Sequence, residues 1–237
     1  MYLDFLNYQN FYNSSIGNLL AHHIEFKLKK YCFLYENQNI GCFGYPLPYL
    51  DFLKNKNFSV SYCYSMRMGV SHENTLKTNK ILIDEDRIPF QDSIFDHIFL
   101  IHYLENTYNM KLSLREIWRT LAPEGKLYLI IPNKKSSWYL SDQSPFSSGS
   151  GFSKKQIVDL LNDSFFEIQL IDRLVYFPNK NFFFIKKYKN LIEKFGSFIF
   201  KYFNGVYLCI VKKKIYANIS PQIQTKKSLI KSIIKKT

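Results

Sequence analysis

Apolar positions recur along this chain in two rhythms, one helical and one extended. Ile16, Leu20, Ile24, Leu28 and Tyr31 fall at three- and four-residue intervals. That period buries one face of a helix, so the spacing predicts an amphipathic helix over residues 10–34, ahead of a sheet and covering part of it. Short strand-like runs follow at Ile40 to Phe43, FSVSYCY from Phe58, KILID from Lys80, FDHIFLIHYL from Phe95 and GKLYLII from Gly125. Between the last two, Leu114, Ile117, Trp118 and Leu121 form a second helical stripe, ended by APEG, whose Pro123 and Gly125 stop a helix. Strands apolar on both faces and separated by helices predict an α/β fold with a mostly parallel sheet covered on both sides.

Beyond Pro132 the texture changes to NKKSSWYLSDQSPFSSGSGFS, a long Ser- and Gly-rich loop of the kind kept for a lid or a binding segment. Ser153 followed by Gln156 fits a capping box that opens a helix carrying Ile157, Leu160 and Leu161. A strand is expected over Ile168 to Phe177, then a helix with Leu191, Phe195, Phe198 and Tyr202 on one face, then a final strand in GVYLCIV from Gly205. Residues 213–237 read as a flexible tail in which Leu229, Ile230, Ile233 and Ile234 stand among lysines. No internal repeat is visible.

Composition narrows the function classes. The 237 residues are 46% hydrophobic and 18% aromatic, enough to fill the core of one good-sized α/β domain. The net charge of +13 is uneven: nine lysines follow Lys194 with no acid among them, leaving +4 for residues 1–194. A nucleic acid or another anionic partner for the basic tail is therefore one reading, and a Lys-, Asn- and Ile-rich coding bias is the bland one. Cys32, Cys42, Cys63 and Cys209 are scattered, without a C-x-x-C pair or a matching histidine spacing, so no metal site and no disulfide framework is expected and the setting is taken as cytoplasmic. The N-terminus has no basic opening and every apolar run is soon broken, which argues against a signal peptide or a transmembrane segment.

Candidate chemistry concentrates in one ordered series of motifs. Asp84 is followed by Ile88-Pro89-Phe90, Phe95-Asp96, His102-x-Leu104-Glu105, Glu116-x-x-Arg119-x-Leu121-x-Pro123-Glu124-Gly125 and Pro132-Asn133. This series resembles the second half of a class I S-adenosylmethionine-dependent methyltransferase domain of the broad bacterial type-11 group. The resemblance implies a Rossmann-like, mostly parallel seven-stranded sheet flanked by helices, with the last strand antiparallel. It also implies S-adenosylmethionine as cofactor and a methyl acceptor that the sequence does not specify. On this basis residues 1–36 form an N-terminal helical cap, 37–212 the methyltransferase-like domain and 213–237 the basic tail.

In such a sheet ligands sit at the carboxyl ends of the strands, near the point where strand order reverses. The resemblance thus nominates Gly44, Tyr45, Tyr64, Asp84, Glu85 and His102 for the cofactor, and Asn133, Trp138, Asp142 and Phe146 as substrate-loop candidates. The loop after the first strand departs from the family's D-x-G-x-G-x-G: Cys42 stands at the acid, Gly44 at the first glycine, and Pro46 and Pro48 at the others. Proline supplies neither positive φ nor an N–H, and the acid expected after the second strand is replaced by Cys63 or Tyr64. Asp84 reads equally as a turn cap. His102 reads as a base lining the pocket or as a hydrogen-bonded residue at the core edge, and Glu105 as a helix-start residue. A methyltransferase is the leading expectation. An inactive methyltransferase-like scaffold, its pocket filled by Tyr45 or Leu47, and an anion binder acting through the lysine tail are the alternatives.

Overall fold

The computed structural model describes residues 4–53, 57–69, 79–142, 144–177 and 204–215. Seven strands form one sheet: β1 (Asn39–Gly44), β2 (Ser59–Ser65), β3 (Asn79–Ile83), β4 (Phe95–Ile101), β5 (Leu121–Pro132), β6 (Phe166–Leu174) and β7 (Val206–Lys213). Their order is β3-β2-β1-β4-β5-β7-β6. The first five strands pair in parallel, and β7 runs antiparallel between β5 and β6. This is the mostly parallel, seven-stranded Rossmann-like sheet that the motif series implies.

Alternation along the strands divides the core in two. Cys42, Tyr62, Tyr64, Phe99 and Tyr128 face one layer with the two N-terminal helices, α1 (Phe5–Asn13) and α2 (Ser15–Tyr31). Phe43, Cys63, Ile98, Leu100, Leu127 and Leu129 face the other with α3 (Met110–Thr120) and α4 (Lys154–Asp163). Residues 10–34 are not one helix, because Ser14 adopts an extended φ/ψ of −73/157° and caps α2 by accepting from the Gly17 amide. A Cβ on Gly17 would stand 2.1 Å from the Phe11 carbonyl oxygen, so the glycine lets α1 fold back against α2. The spacing located the buried face of α2 correctly, with Leu20, Ile24 and Leu28 buried, but the break lies in capping chemistry rather than in apolar rhythm.

The Ser153–Gln156 capping box forms in full at the start of α4. The Glu116-x-x-Arg119 motif is a clamp: Arg119 donates to Glu116, to Asp92 and to the carbonyls of Ile88 and Phe90, while Glu116 accepts from the Ile88 amide. It fastens the 88–92 turn to α3 and so sets the entry into β4. The helix expected around Leu191 to Tyr202, and the tail beyond Ile215, lie outside the described residues. Among the described residues no helix is long and apolar enough to cross a membrane.

One strand residue makes stability depend on pH. His97 on β4 is buried against Tyr128, its Nδ1 lacks a hydrogen-bond partner among the described residues, and burial lowers its pKa to about 4. The unfolded chain, with an ordinary histidine near 6.5, binds the proton first on acidification. Stability is therefore full above pH 6.5 and is lost as pH falls through 4, by about 2 kcal/mol once solvent screening is allowed for. His97→Phe is expected to flatten the change in melting temperature between pH 7 and 4.5. An unaltered pH slope in that variant would rule out the assignment.

Candidate functional site at the carboxyl edge of the sheet

Strand order reverses between β1 and β4, and their carboxyl ends meet the loops that carry most of the nominated residues. β1 ends at Gly44 with φ +89°, where an added Cβ would stand 2.2 Å from the Ile101 carbonyl oxygen. The Tyr45 amide donates to that same carbonyl at 2.7 Å, so the loop backbone lies directly on the end of β4. Pro46 then opens a single 3-10 turn over Leu47–Tyr49, followed by another over Asp51–Leu53. The prolines thus replace a glycine-rich approach by tight turns.

These turns aim aromatic rings into the crevice. Tyr45 is 4% exposed and stacks on Tyr8 and Tyr12 of α1, with ring centroids 5.2 and 5.8 Å apart, and Phe5 packs edge-on against Tyr45 and Tyr64. Tyr64, at the end of β2, is fully buried and its hydroxyl has no hydrogen-bond partner among the described residues.

Behind the rings lies a connected polar chain. His102 follows β4 with φ +55°, a backbone conformation that histidine and asparagine tolerate better than most residues. Its Nε2 is 2.6 Å from the Tyr12 hydroxyl and 3.4 Å from that of Tyr49, and the two phenols are hydrogen-bonded to each other. Its Nδ1 is 3.2 Å from Glu105 Oε1. His102, Tyr49 and the Glu105 side chain are wholly buried, and Tyr12 is 5% exposed. With Glu105 ionised, one assignment satisfies every donor: Tyr49 donates to Tyr12, Tyr12 to Nε2, and Nδ1–H to Glu105. Burial holds the Tyr12 and Tyr49 phenols neutral by pushing their pKa values far up. Glu105 Oε2 and Asn106 Oδ1 are buried without a partner among the described residues, leaving polar capacity unspent here.

The 133–152 loop closes over this chain. Phe146 is fully buried with its ring 4.8 Å from that of His102. Trp138 donates from Nε1 to the Phe177 carbonyl at 2.6 Å and pins the loop. Asn133 joins segments: its amide donates to Asn204 and its Oδ1 accepts from the Lys135 amide. Asp142 is exposed on the loop. Of the four loop candidates, the structure brings only Phe146 against His102.

Asp84 and Glu85 stand apart, in the turn after β3. Asp84 is exposed and accepts from the Asp86 amide, which is the work of a turn cap. Glu85 accepts from the Tyr108 amide, and burial raises its pKa. With Ser65, Met66, Arg67, Asp86 and Tyr108 these two acids line a cavity of about 210 Å³. Sequence reasoning passed over Tyr8, Tyr12 and Tyr49. The signal for the first two was present, as Phe5, Tyr8 and Tyr12 recur at helical spacing.

The motif series and this sheet agree with the comparison to known families, in which residues 39–129 match the methyltransferase-domain model. Over those residues the chain carries a methyltransferase domain. The chain is 31% identical over 142 residues to an uncharacterised protein of Methanocaldococcus jannaschii, an alignment covering 56% of this chain and 57% of that protein. It is 29% identical over 79 residues to YrhH of Bacillus subtilis, a provisionally named methyltransferase, covering 33% of this chain and 36% of that protein. The chain therefore spans little more than half of one curated relative and about a third of the other. A crystal structure of an S-adenosylmethionine-dependent methyltransferase from Archaeoglobus fulgidus superposes with a TM-score of 0.60 at 14% identity, covering 88% of this chain and 99% of that one.

The family implies S-adenosylmethionine, and the residues at hand fit it only in part. The 210 Å³ cavity beside Asp84 and Glu85 offers carboxylates and a Tyr108 ring to a nucleoside. It is smaller than the roughly 300–1,000 Å³ of sites that enclose a ligand of that size. The crevice between β1 and β4 is filled in this conformation by Tyr45, Tyr8 and Tyr12.

Proposed function

We propose that this chain is an S-adenosylmethionine-dependent methyltransferase whose proton chemistry is centred on His102. The observation that supports it most is the buried Tyr12–His102–Glu105 chain, which stands at the strand-order reversal of a methyltransferase domain. A buried ionisable pair and two phenols are costly to keep in a core unless fully paired or used. When bound, the cofactor supplies a methyl group on a sulfonium. Within the chain, Glu105 holds the His102 ring with Nδ1–H inward, leaving Nε2 to accept a proton through the Tyr12 and Tyr49 hydroxyls. Opening the site requires the Tyr8, Tyr45 or Phe146 ring to swing aside. Glu85 and Asp84 are the cofactor's nucleoside-end contacts in this reading. Four free cysteines, three of them buried, agree with a cytoplasmic setting, and the type-11 resemblance with a bacterial one.

A second reading, a non-catalytic methyltransferase-like binding protein, is favoured by the buried Tyr45 ring in the crevice. Calorimetric titration with S-adenosylhomocysteine separates the two. The enzyme reading expects micromolar binding, weakened at least about tenfold by Glu85→Gln as an ionic or hydrogen-bonded contact is lost. No heat at millimolar ligand, from protein shown to be folded by its thermal melt, would leave the scaffold reading standing.

A further inference from the structure

A second cavity among the described residues lies at the opposite edge of the sheet, and nothing in the methyltransferase reading uses it. It measures about 610 Å³ and is lined by Lys111, Arg115 and Trp118 of α3, by Asn162, Asp163, Ser164 and Phe165 at the end of α4, and by Lys214 and Ile215 after β7. The volume lies within the usual range of ligand sites. Among the described lining residues, three of the four charged ones are cationic. The fourth, Asp163, is 3.9 Å from Lys111, and both are largely exposed.

The apolar part of the lining is aromatic. Phe165 sits at φ +61° and is 64% exposed, an uncommon position for so large an apolar ring. Two bonds hold it there: Trp118 Nε1 donates to its carbonyl at 3.1 Å, and so does the Lys214 amide at 2.9 Å. Lys213 Nζ lies 4.1 Å from the Trp118 ring centroid and donates to the Leu121 carbonyl. The result is a fixed platform of two aromatic residues bordered by Lys111, Arg115 and Lys214.

Rings that stack on bases, bordered by cations that meet phosphates, form the chemistry of single-stranded nucleic-acid recognition. The chain adds a second indication. In sequence, the stretch after Ile215 carries Lys226, Lys227, Lys231, Lys235 and Lys236 and no acid. A polymer with several phosphates matches that charge better than one mononucleotide does. We propose that this face binds single-stranded nucleic acid, with a base on Phe165 and Trp118 and backbone phosphates on Arg115, Lys111 and Lys214. The proposal stands independently of the cofactor reading, since the two sites lie at opposite edges of the sheet.

The test is fluorescence anisotropy of the full chain with a labelled twelve-nucleotide single-stranded RNA, at low and at physiological salt. Phe165→Asn removes the ring while keeping a residue suited to positive φ, so folding is preserved. Arg115→Gln removes an exposed charge. The expected result is a dissociation constant on the order of 10⁻⁵ M or tighter at low salt, weakened about tenfold by Phe165→Asn. Arg115→Gln should weaken binding too, with a shallower salt dependence. Heparin, a polyanion without bases, should bind equally to the wild type and Phe165→Asn. Failure of the RNA to bind at low salt overturns the proposal. So does RNA affinity unchanged in both cavity variants but abolished when the five lysines of the 216–237 segment are changed to Gln, because the tail alone would then account for binding.

Discussion

His102→Asn is expected to lower methyl transfer by about a hundred- to ten-thousandfold while the protein stays folded, the range over which a positioned general base contributes to rate. Asparagine suits this position because it accepts the φ of +55° held by His102, so the backbone after β4 need not change. Its amide cannot take up a proton at neutral pH, and it is too short to bridge Glu105 and Tyr12 as the imidazole does. The reaction to follow is transfer of a radiolabelled methyl group from S-adenosylmethionine into an extract of cells that make the protein. Glu105→Gln should lower the rate less, since it orients the ring and does not itself receive the proton. Tyr12→Phe should lower it too, by interrupting the path from Tyr49 to Nε2. Full activity in His102→Asn would remove His102 from the chemistry and leave the buried chain a purely structural network.

Gly44→Val is expected to destabilise the fold by about 3–5 kcal/mol, from positive-φ strain together with overpacking. For a chain of this size the melting temperature should fall by roughly 10 °C. The reason is local: a Cβ at Gly44 would stand 2.2 Å from the Ile101 oxygen and 3.0 Å from the His102 carbonyl, both of them backbone atoms that cannot rotate away. Gly69 supplies the control. Its φ is also positive, at +70°, but nothing lies within 4 Å of an added Cβ. Gly69→Ala should therefore cost only about 1 kcal/mol. Equal losses in the two variants, measured by urea denaturation, would mean that the contact between the Gly44 loop and β4 is not what fixes this turn. Loss of ligand binding in Gly44→Val does not report on the cofactor, because the substitution acts first on the fold.

The fold was legible in the sequence because its signals are local and repeat. Leu20, Ile24 and Leu28 mark a helical face, the short apolar runs mark strands, and Ser153 with Gln156 marks a helix start. The motif series was legible too, although its most family-like pair, Glu116 and Arg119, turned out to clamp a turn rather than touch the site. The prolines after Gly44 showed that the cofactor loop departs from its family, and Tyr45 was foreseen as a ring that could fill the pocket. Less of the polar site could be read. Tyr12, Tyr49, His102 and Glu105 are spread over 94 residues and meet only when α1 crosses the β1–β4 junction. No spacing rule encodes such a meeting, since it depends on the kink at Ser14 and the 3-10 turn after Pro46. Asn133, nominated for substrate by its place after a strand, has an amide that donates to Asn204 across the fold, a partner no spacing rule foretold.

Amide hydrogen exchange with and without saturating S-adenosylhomocysteine tests the placement of the cofactor most directly. If the family's cofactor uses this edge of the sheet, exchange should slow in residues 65–67, 84–86 and 102–106. It should rise in Phe5–Asn13, as the Tyr8 and Tyr12 rings give up the crevice beside Tyr45. Unchanged exchange in all four segments would contradict the account and leave a methyltransferase domain whose cofactor crevice has become part of its core.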